Sequence, residues 1–230
     1  LPDCLPILCS IRPVVGWIVY SMPLSYNRIA GQSLERLAAL SDGIFAVAMT
    51  LLVLDIHAPA VEAIHSEQSL WRALLALSPR LLMYLMSFLT LGIFWTGQQT
   101  QFNQLSHADR HLSWIHIAFL ATVSLMPFST SLLAEFITFR TALLVYWVNI
   151  LLLGVVLFGS WRYARRAKLV NDEAPLAVVC AIERRILIAQ GLYAFGAALC
   201  FINTYCSIGF IVLVQLNYAI APRIRGLSRL

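Results

Sequence analysis

The sequence predicts an all-α integral membrane protein, and three observations predict it. Of 230 residues, 60% are hydrophobic and 12% charged, whereas soluble domains run at about 45–50% apolar and about 25% charged. Mean hydropathy is +0.79, the opposite of the balance that keeps chains unfolded. The apolar residues also gather into six stretches, each near the roughly 20 helical residues that a bilayer core of about 30 Å requires.

Taken in order, those stretches run from Leu37 to Ile56, Pro79 to Trp95, Leu112 to Leu133, Thr141 to Trp161, Ile186 to Ile202 and Ser207 to Ala221. Pro127 lies inside the third and predicts a kink or an early helix end, because proline lacks an amide hydrogen and crowds the preceding turn. Asn203-Thr204-Tyr205-Cys206 reads as a tight turn, making the last two short spans a hairpin with little tilt. Trp71, Trp95, Trp161 and Tyr163 fall near span ends, where amphipathic rings collect. Gly154, Gly159, Gly191, Gly196 and Ala197 permit close helix contact.

Basic residues give the orientation. With the N-terminus inside, Arg28, Arg36, Arg110, Arg162, Arg165, Arg166, Lys168, Arg184, Arg185, Arg223, Arg225 and Arg229 are internal, while Arg72, Arg80 and Arg140 are external. This asymmetry follows the positive-inside rule and predicts both termini in the cytoplasm. It also accounts for the net charge of +5 without a continuous basic face for nucleic acid. Cys4, Cys9, Cys180, Cys200 and Cys206 form no CxxC pair, so neither a disulfide framework nor a zinc site is expected.

Three regions follow. Residues 1–30 form an N-terminal segment of uncertain order, in which Arg12, Pro6, Pro13, Pro23 and Gly16 oppose one continuous helix. Residues 1–21 are read as poorly ordered or non-native, with Met22 a natural start. Residues 31–222 form the six-helix domain, and 223–230 a basic cytoplasmic tail.

Polar residues inside the spans ask for separate explanation. Asp42 sits about one and a half turns into the first span, where a carboxylate costs up to about 2.5–3.5 kcal/mol without a partner. Three readings stand: a wet position near the surface, a polar network holding helices together, or direct ion contact. Gly43, Val47, Thr50, Leu51 and Leu54 fall at i, i+4, i+7, i+8 and i+11, one apolar face with a single hydroxyl. By itself that face reads as a packing stripe or as a pore wall.

The run Arg36-xxx-Leu40-Ser41-Asp42-Gly43-Ile44-Phe45-Ala46-Val47-Ala48-Met49-Thr50-Leu51-Leu52-Val53-Leu54 resembles the signature that opens the first helix of the lysosomal potassium channel family, transmembrane protein 175 and its bacterial homologues. Trp95, Asp109-Arg110, Pro127-Phe128, Arg184-Arg185 and Gln215-Leu216-Asn217-Tyr218-Ala219 extend the resemblance in order across about residues 30–222. It implies a potassium-selective or weakly selective cation channel in the bacterial inner membrane, a homotetramer around a central pore lined by helix one. Monovalent cations, potassium first, are the implied permeant species, with no cofactor.

Carried over by position, the resemblance implies apolar rings at Val47, Leu51 and Leu54 with the Thr50 hydroxyl nearby. Such rings gate by dewetting. Nothing here is similar to a threonine-valine-glycine-tyrosine-glycine carbonyl filter. The resemblance further implies a structural polar network from Arg36, Ser41 and Asp42 to Gln98 and Gln99, which stand where the family carries two histidines, and to His116 in the third span. Either carboxamide, or the imidazole, can donate to Asp42.

Rival chemistries are weaker. His107 and His111 would share a face at i, i+4 on a helix, with Asp109 between them, but no HExxH pattern accompanies them. No nucleophile elbow accompanies Ser41-Asp42, so no enzyme is expected. An ion- or proton-coupled secondary transporter remains the alternative, with Asp42, Glu135 and His116 as candidate relay groups.

Overall fold

The computed structural model describes residues 33–60, 64–171 and 175–220. The expectations for residues 1–30 and 223–230 lie outside the described residues. Among the described residues, eight α-helices follow in order: α1 (Leu34–Leu51), α2 (Glu67–Ala76), α3 (Ser78–Phe102), α4 (Arg110–Ser124), α5 (Met126–Glu135), α6 (Arg140–Arg166), α7 (Leu176–Ala198) and α8 (Thr204–Ile220). Short 3₁₀ turns extend α1 through Leu52–Asp55 and α7 through Leu199–Phe201.

Local chemistry sets several boundaries. Ser33 caps α1 by accepting the Arg36 amide at 3.3 Å, and Asp109 caps α4 by accepting the Leu112 amide at 2.7 Å. The third span divides at Leu125, with Pro127 in the first turn of α5, so the expected interruption occurs where proline lacks the donor a continuous helix needs. Helix α2, which periodicity did not single out, is closed by a reciprocal box of Ser66 and Ser69.

Three expectations are corrected. Helix α3 continues past Trp95 to Phe102, because Gln98 and Gln101, polar enough to end a hydropathy window, are buried with bonded side-chain amides. Helix α7 begins ten residues before Ile186, at Leu176, and carries Glu183, Arg184 and Arg185 within it. Its Glu183 carboxylate accepts from Arg165 of α6 at 2.5 Å. The turn before α8 is also shorter than expected. Thr204, Tyr205 and Cys206 are helical, and Asn203 accepts the Tyr205 amide at 2.8 Å.

Among the described residues, four helical segments are long and apolar enough to cross a membrane: Leu34–Asp55, Ser78–Phe102, Arg110–Glu135 and Arg140–Arg166. Helix α8, of 17 residues, is apolar but shorter. The segments pack around a core that includes Phe45, Leu91, Phe119, Tyr146, Ile150 and Ile211. A second cluster, around Leu37, Phe102, Leu112 and Trp161, closes the arginine-rich end.

Hydroxyls and amides are threaded through the core. Gln215 of α8 donates to Thr90 of α3 at 2.6 Å, Thr90 meets the Tyr146 hydroxyl of α6 at 3.1 Å, and Thr130 of α5 donates to Ser87 at 2.7 Å. In hydrocarbon these groups have no water to fall back on, so mutual pairing fixes the helices against one another.

Candidate pore helix and its polar lock

Helix α1 has two unlike faces. Leu37, Ser41, Phe45, Ala48 and Leu52 are buried against the bundle. Val47, Leu51 and Leu54 lie on the other side with 54%, 44% and 65% of their surfaces exposed. Gly43 stands in open space and Thr50 is exposed between them, its hydroxyl donating to the Val47 carbonyl at 2.8 Å. With its hydrogen turned back to the helix, the Thr50 oxygen keeps lone-pair capacity toward the open side. The apolar stretch of α1 is the least enclosed of the four, 28% buried against 39–44% for the others.

Two sets of bonds hold α1 to its neighbours. On Asp42, one carboxylate oxygen accepts from the Trp95 indole at 2.8 Å and from the Gln99 amide at 2.9 Å. One residue away, buried Ser41 donates to the Leu37 carbonyl at 2.9 Å and accepts from Gln98 at 3.0 Å. The same Gln98 amide lies 3.4 Å from His116 Nδ1, and His116 Nε2 lies 3.3 Å from the Ser160 hydroxyl. Phe102 packs edge-on against the imidazole, with ring centroids 4.7 Å apart. A chain of side chains thus runs from α1 through α3 and α4 to α6.

The structure therefore brings together Ser41, Asp42, Gln98, Gln99 and His116. Asp42 makes the bonds of a helix-holding network while its side chain is exposed. The carboxylate bonds to Gln99 and not to Gln98 or His116, which belong to the Ser41 branch. Arg36 is not brought in: it is exposed at the first turn of α1, and its described bond is through the backbone amide.

Two partners were not foreseen. Trp95 stands four residues before Gln99, one helical turn away on the same face, a spacing that marks it as a co-donor. Ser160 gives no such signal, because only the packing of α6 against α4 brings it to His116.

The geometry that the rival metal reading required is absent from this segment. His107 lies before α4 begins at Arg110, so the common helical face with His111 does not form. Its Nδ1 lies 2.9 Å from the Ser106 hydroxyl, while Asp109 is occupied as the α4 cap and accepts from the Tyr163 hydroxyl at 2.5 Å. Glu135 pairs with Arg80 at 2.5 Å, joining α5 to the start of α3 and standing apart from the Asp42 and His116 bonds. The transporter relay therefore has no common site.

Apolar membrane-length helices, held together by buried amides and hydroxyls, with α1 at the side of the bundle presenting an open apolar face, define a multi-pass membrane protein. The family model described as endosomal/lysosomal potassium channel TMEM175 matches residues 36–127. A potassium channel of Chamaesiphon minutus is 32% identical over 189 residues, covering 80% of this chain and 93% of that protein. A potassium channel of Streptomyces collinus is 30% identical over 190 residues, covering 80% and 90%. The crystal structure of a lysosomal potassium-selective channel TMEM175 homologue from Chamaesiphon minutus superposes with a TM-score of 0.70 at 30% identity, covering 82% of this chain and 97% of that one. The chain belongs to the TMEM175 channel family, whose members are ion channels and not enzymes.

Proposed function

We propose that this chain is the subunit of a passive potassium channel: a homotetramer with six spanning helices per subunit, helix α1 lining a pore on the symmetry axis. The carrying observation is the division of α1 into a face locked by Ser41 and Asp42 and an open face presenting Val47, Thr50, Leu51 and Leu54. Repeated fourfold, these residues form successive rings in which branched side chains exclude water until dilation admits a partly hydrated cation. The Thr50 oxygen supplies a polar contact between apolar rings, and conduction needs no cofactor. Residues 31–222 constitute the channel domain. The two further spans are α7 and α8, the first entering the bilayer beyond Glu183-Arg184-Arg185. Lys and Arg asymmetry supports a reading with both termini on the cytoplasmic side, the membrane being a bacterial inner membrane in this proposal.

The test is the reversal potential of purified protein in planar bilayers under opposed potassium and sodium gradients, beside variants at Val47, Thr50 and Leu54. A potassium-directed potential that shifts in the variants is expected. Absence of current from an intact tetramer across several lipid compositions would overturn the assignment.

A further inference from the structure

A cavity of about 70 Å³ opens between α3, α6, α7 and α8. Its α7 wall runs from Arg185 through Ile186 and Ala189 to Tyr193, positions that share one face of the helix. Arg185 and Tyr193 are eight residues apart, so the wall extends about 12 Å along the helix axis. The two ends differ. At one, Thr100 and Tyr218 stand in the last turns of α3 and α8, and Arg185 lies at the same end of the bundle. About two helical turns deeper, Phe94 and Tyr193 are buried. The cavity is thus long in the direction of the helices and carries a cation at its outer end.

That cation has no counter-charge in the structure. The exposed Arg185 guanidinium lies 5.5 Å over the Tyr218 ring. Stacking engages the face of the guanidinium and leaves its N–H edge for an anion. Among the described residues the ion pairs are Arg80 with Glu135 and Arg165 with Glu183, so Glu183, two residues before Arg185, is engaged by α6. Arg184 is exposed next to it, which raises the local positive potential further.

An occupant must bring an anion to the guanidinium and apolar matter to the walls. Free phosphate supplies the first alone and a hydrocarbon the second alone. A phospholipid supplies both, its phosphodiester matching the guanidinium fork and an acyl chain covering the walls. A cavity of about 150 Å³ holds a benzene ring, so one of half that size takes a stretch of a single chain and leaves the rest of the lipid outside. The choline cation of phosphatidylcholine competes with Arg185 for the phosphate, whereas the glycerol of phosphatidylglycerol does not. We propose that this cavity is a binding site for an anionic phospholipid, its phosphate on Arg185 and one acyl chain laid against Ile186 and Ala189. The site rests on α7 and α8 as spans in the reading above, which puts Arg185 at headgroup depth, and it does not depend on how ions cross the protein.

Photolabelling of the full chain in phosphatidylcholine vesicles tests this, using phosphatidylglycerol and phosphatidylcholine that carry a diazirine on the same acyl chain. Mass spectrometry is expected to place phosphatidylglycerol adducts on the cavity walls about tenfold above those of phosphatidylcholine, the discrimination that a charge-assisted contact gives. Both lipids should label the exposed Leu187 and Phe195 alike. Excess phosphatidylglycerol should remove the wall adducts, and inorganic phosphate should not. Arg185→Gln should bring the preference to parity, while Arg166→Gln, at an exposed position outside the cavity lining, should leave it intact. Ala189→Phe, which fills the cavity, should remove the wall adducts of both lipids. Equal wall labelling by the two lipids would overturn the site alone, as would an undiminished preference in R185Q protein that elutes as the parent does. Displacement by oleate but not by phosphatidylglycerol would give the site to a fatty carboxylate and overturn the proposal. Absence of adducts from either lipid anywhere on α7 would instead overturn its reading as a span, and the site with it.

Discussion

At the scale of the residue, Asp42 shows how an intramembrane charge is accommodated. Its carboxylate takes two donors from one neighbouring helix, Trp95 and Gln99, and such bonds offset the cost of lowering a carboxyl group toward the bilayer. Removing either donor, with Trp95→Phe or Gln99→Leu, should destabilise the protein by about 1–2 kcal/mol. In an Asp42→Asn background each change should cost less. Thermal unfolding of the detergent-solubilised protein, run as a double-mutant cycle, measures that difference. Costs that stay equal in the two backgrounds would show that Trp95 and Gln99 act by packing alone. The existence of an intramembrane polar residue was legible in the sequence, because hydropathy makes Asp42 conspicuous. Its partner Gln99 was indicated by the family resemblance and Trp95 by standing one helical turn before Gln99, whereas nothing in the sequence pointed to Ser160, which meets His116.

At the scale of the element, α6 and α7 are joined where Gln190 lies against the bare backbone of Gly154. Gly154→Ala would place a methyl inside the Gln190 side chain and should cost about 1–3 kcal/mol, the range for overpacking. Gln190→Ala should recover much of that loss if the clash is its cause, a comparison that chemical or thermal denaturation provides. The ion pair between Arg80 and Glu135 gives the contrary expectation. Both side chains are substantially exposed, 35% and 58%, so Arg80→Gln should shift stability by less than about 1 kcal/mol. The interruption at Pro127 could be read in advance because proline acts locally. The true extents of α3 and α7 could not, because Gln98, Gln101 and Glu183 lower hydropathy while tertiary partners keep the helices intact.

At the scale of the whole molecule, the proposed tetramer turns single side chains into rings. Leu54→Ala should raise conductance and weaken discrimination between potassium and sodium by enlarging one ring fourfold, with the assembly's mass by native mass spectrometry unchanged. Loss of the assembly would instead mark Leu54 as an interface residue. Membrane residence and the positions of the apolar stretches, six by sequence and four of membrane length and apolarity among the described residues, follow from sequence by itself, since burying apolar surface and satisfying every backbone hydrogen bond in lipid act on contiguous residues. Only the tertiary structure decided that Asp42 and Ser41 enter separate branches, that His116 reaches Ser160, and that Arg185 and Tyr218 meet at the mouth of a cavity. Those relations depend on which faces of distant helices meet, and helical periodicity fixes a residue's face without fixing the neighbour across from it.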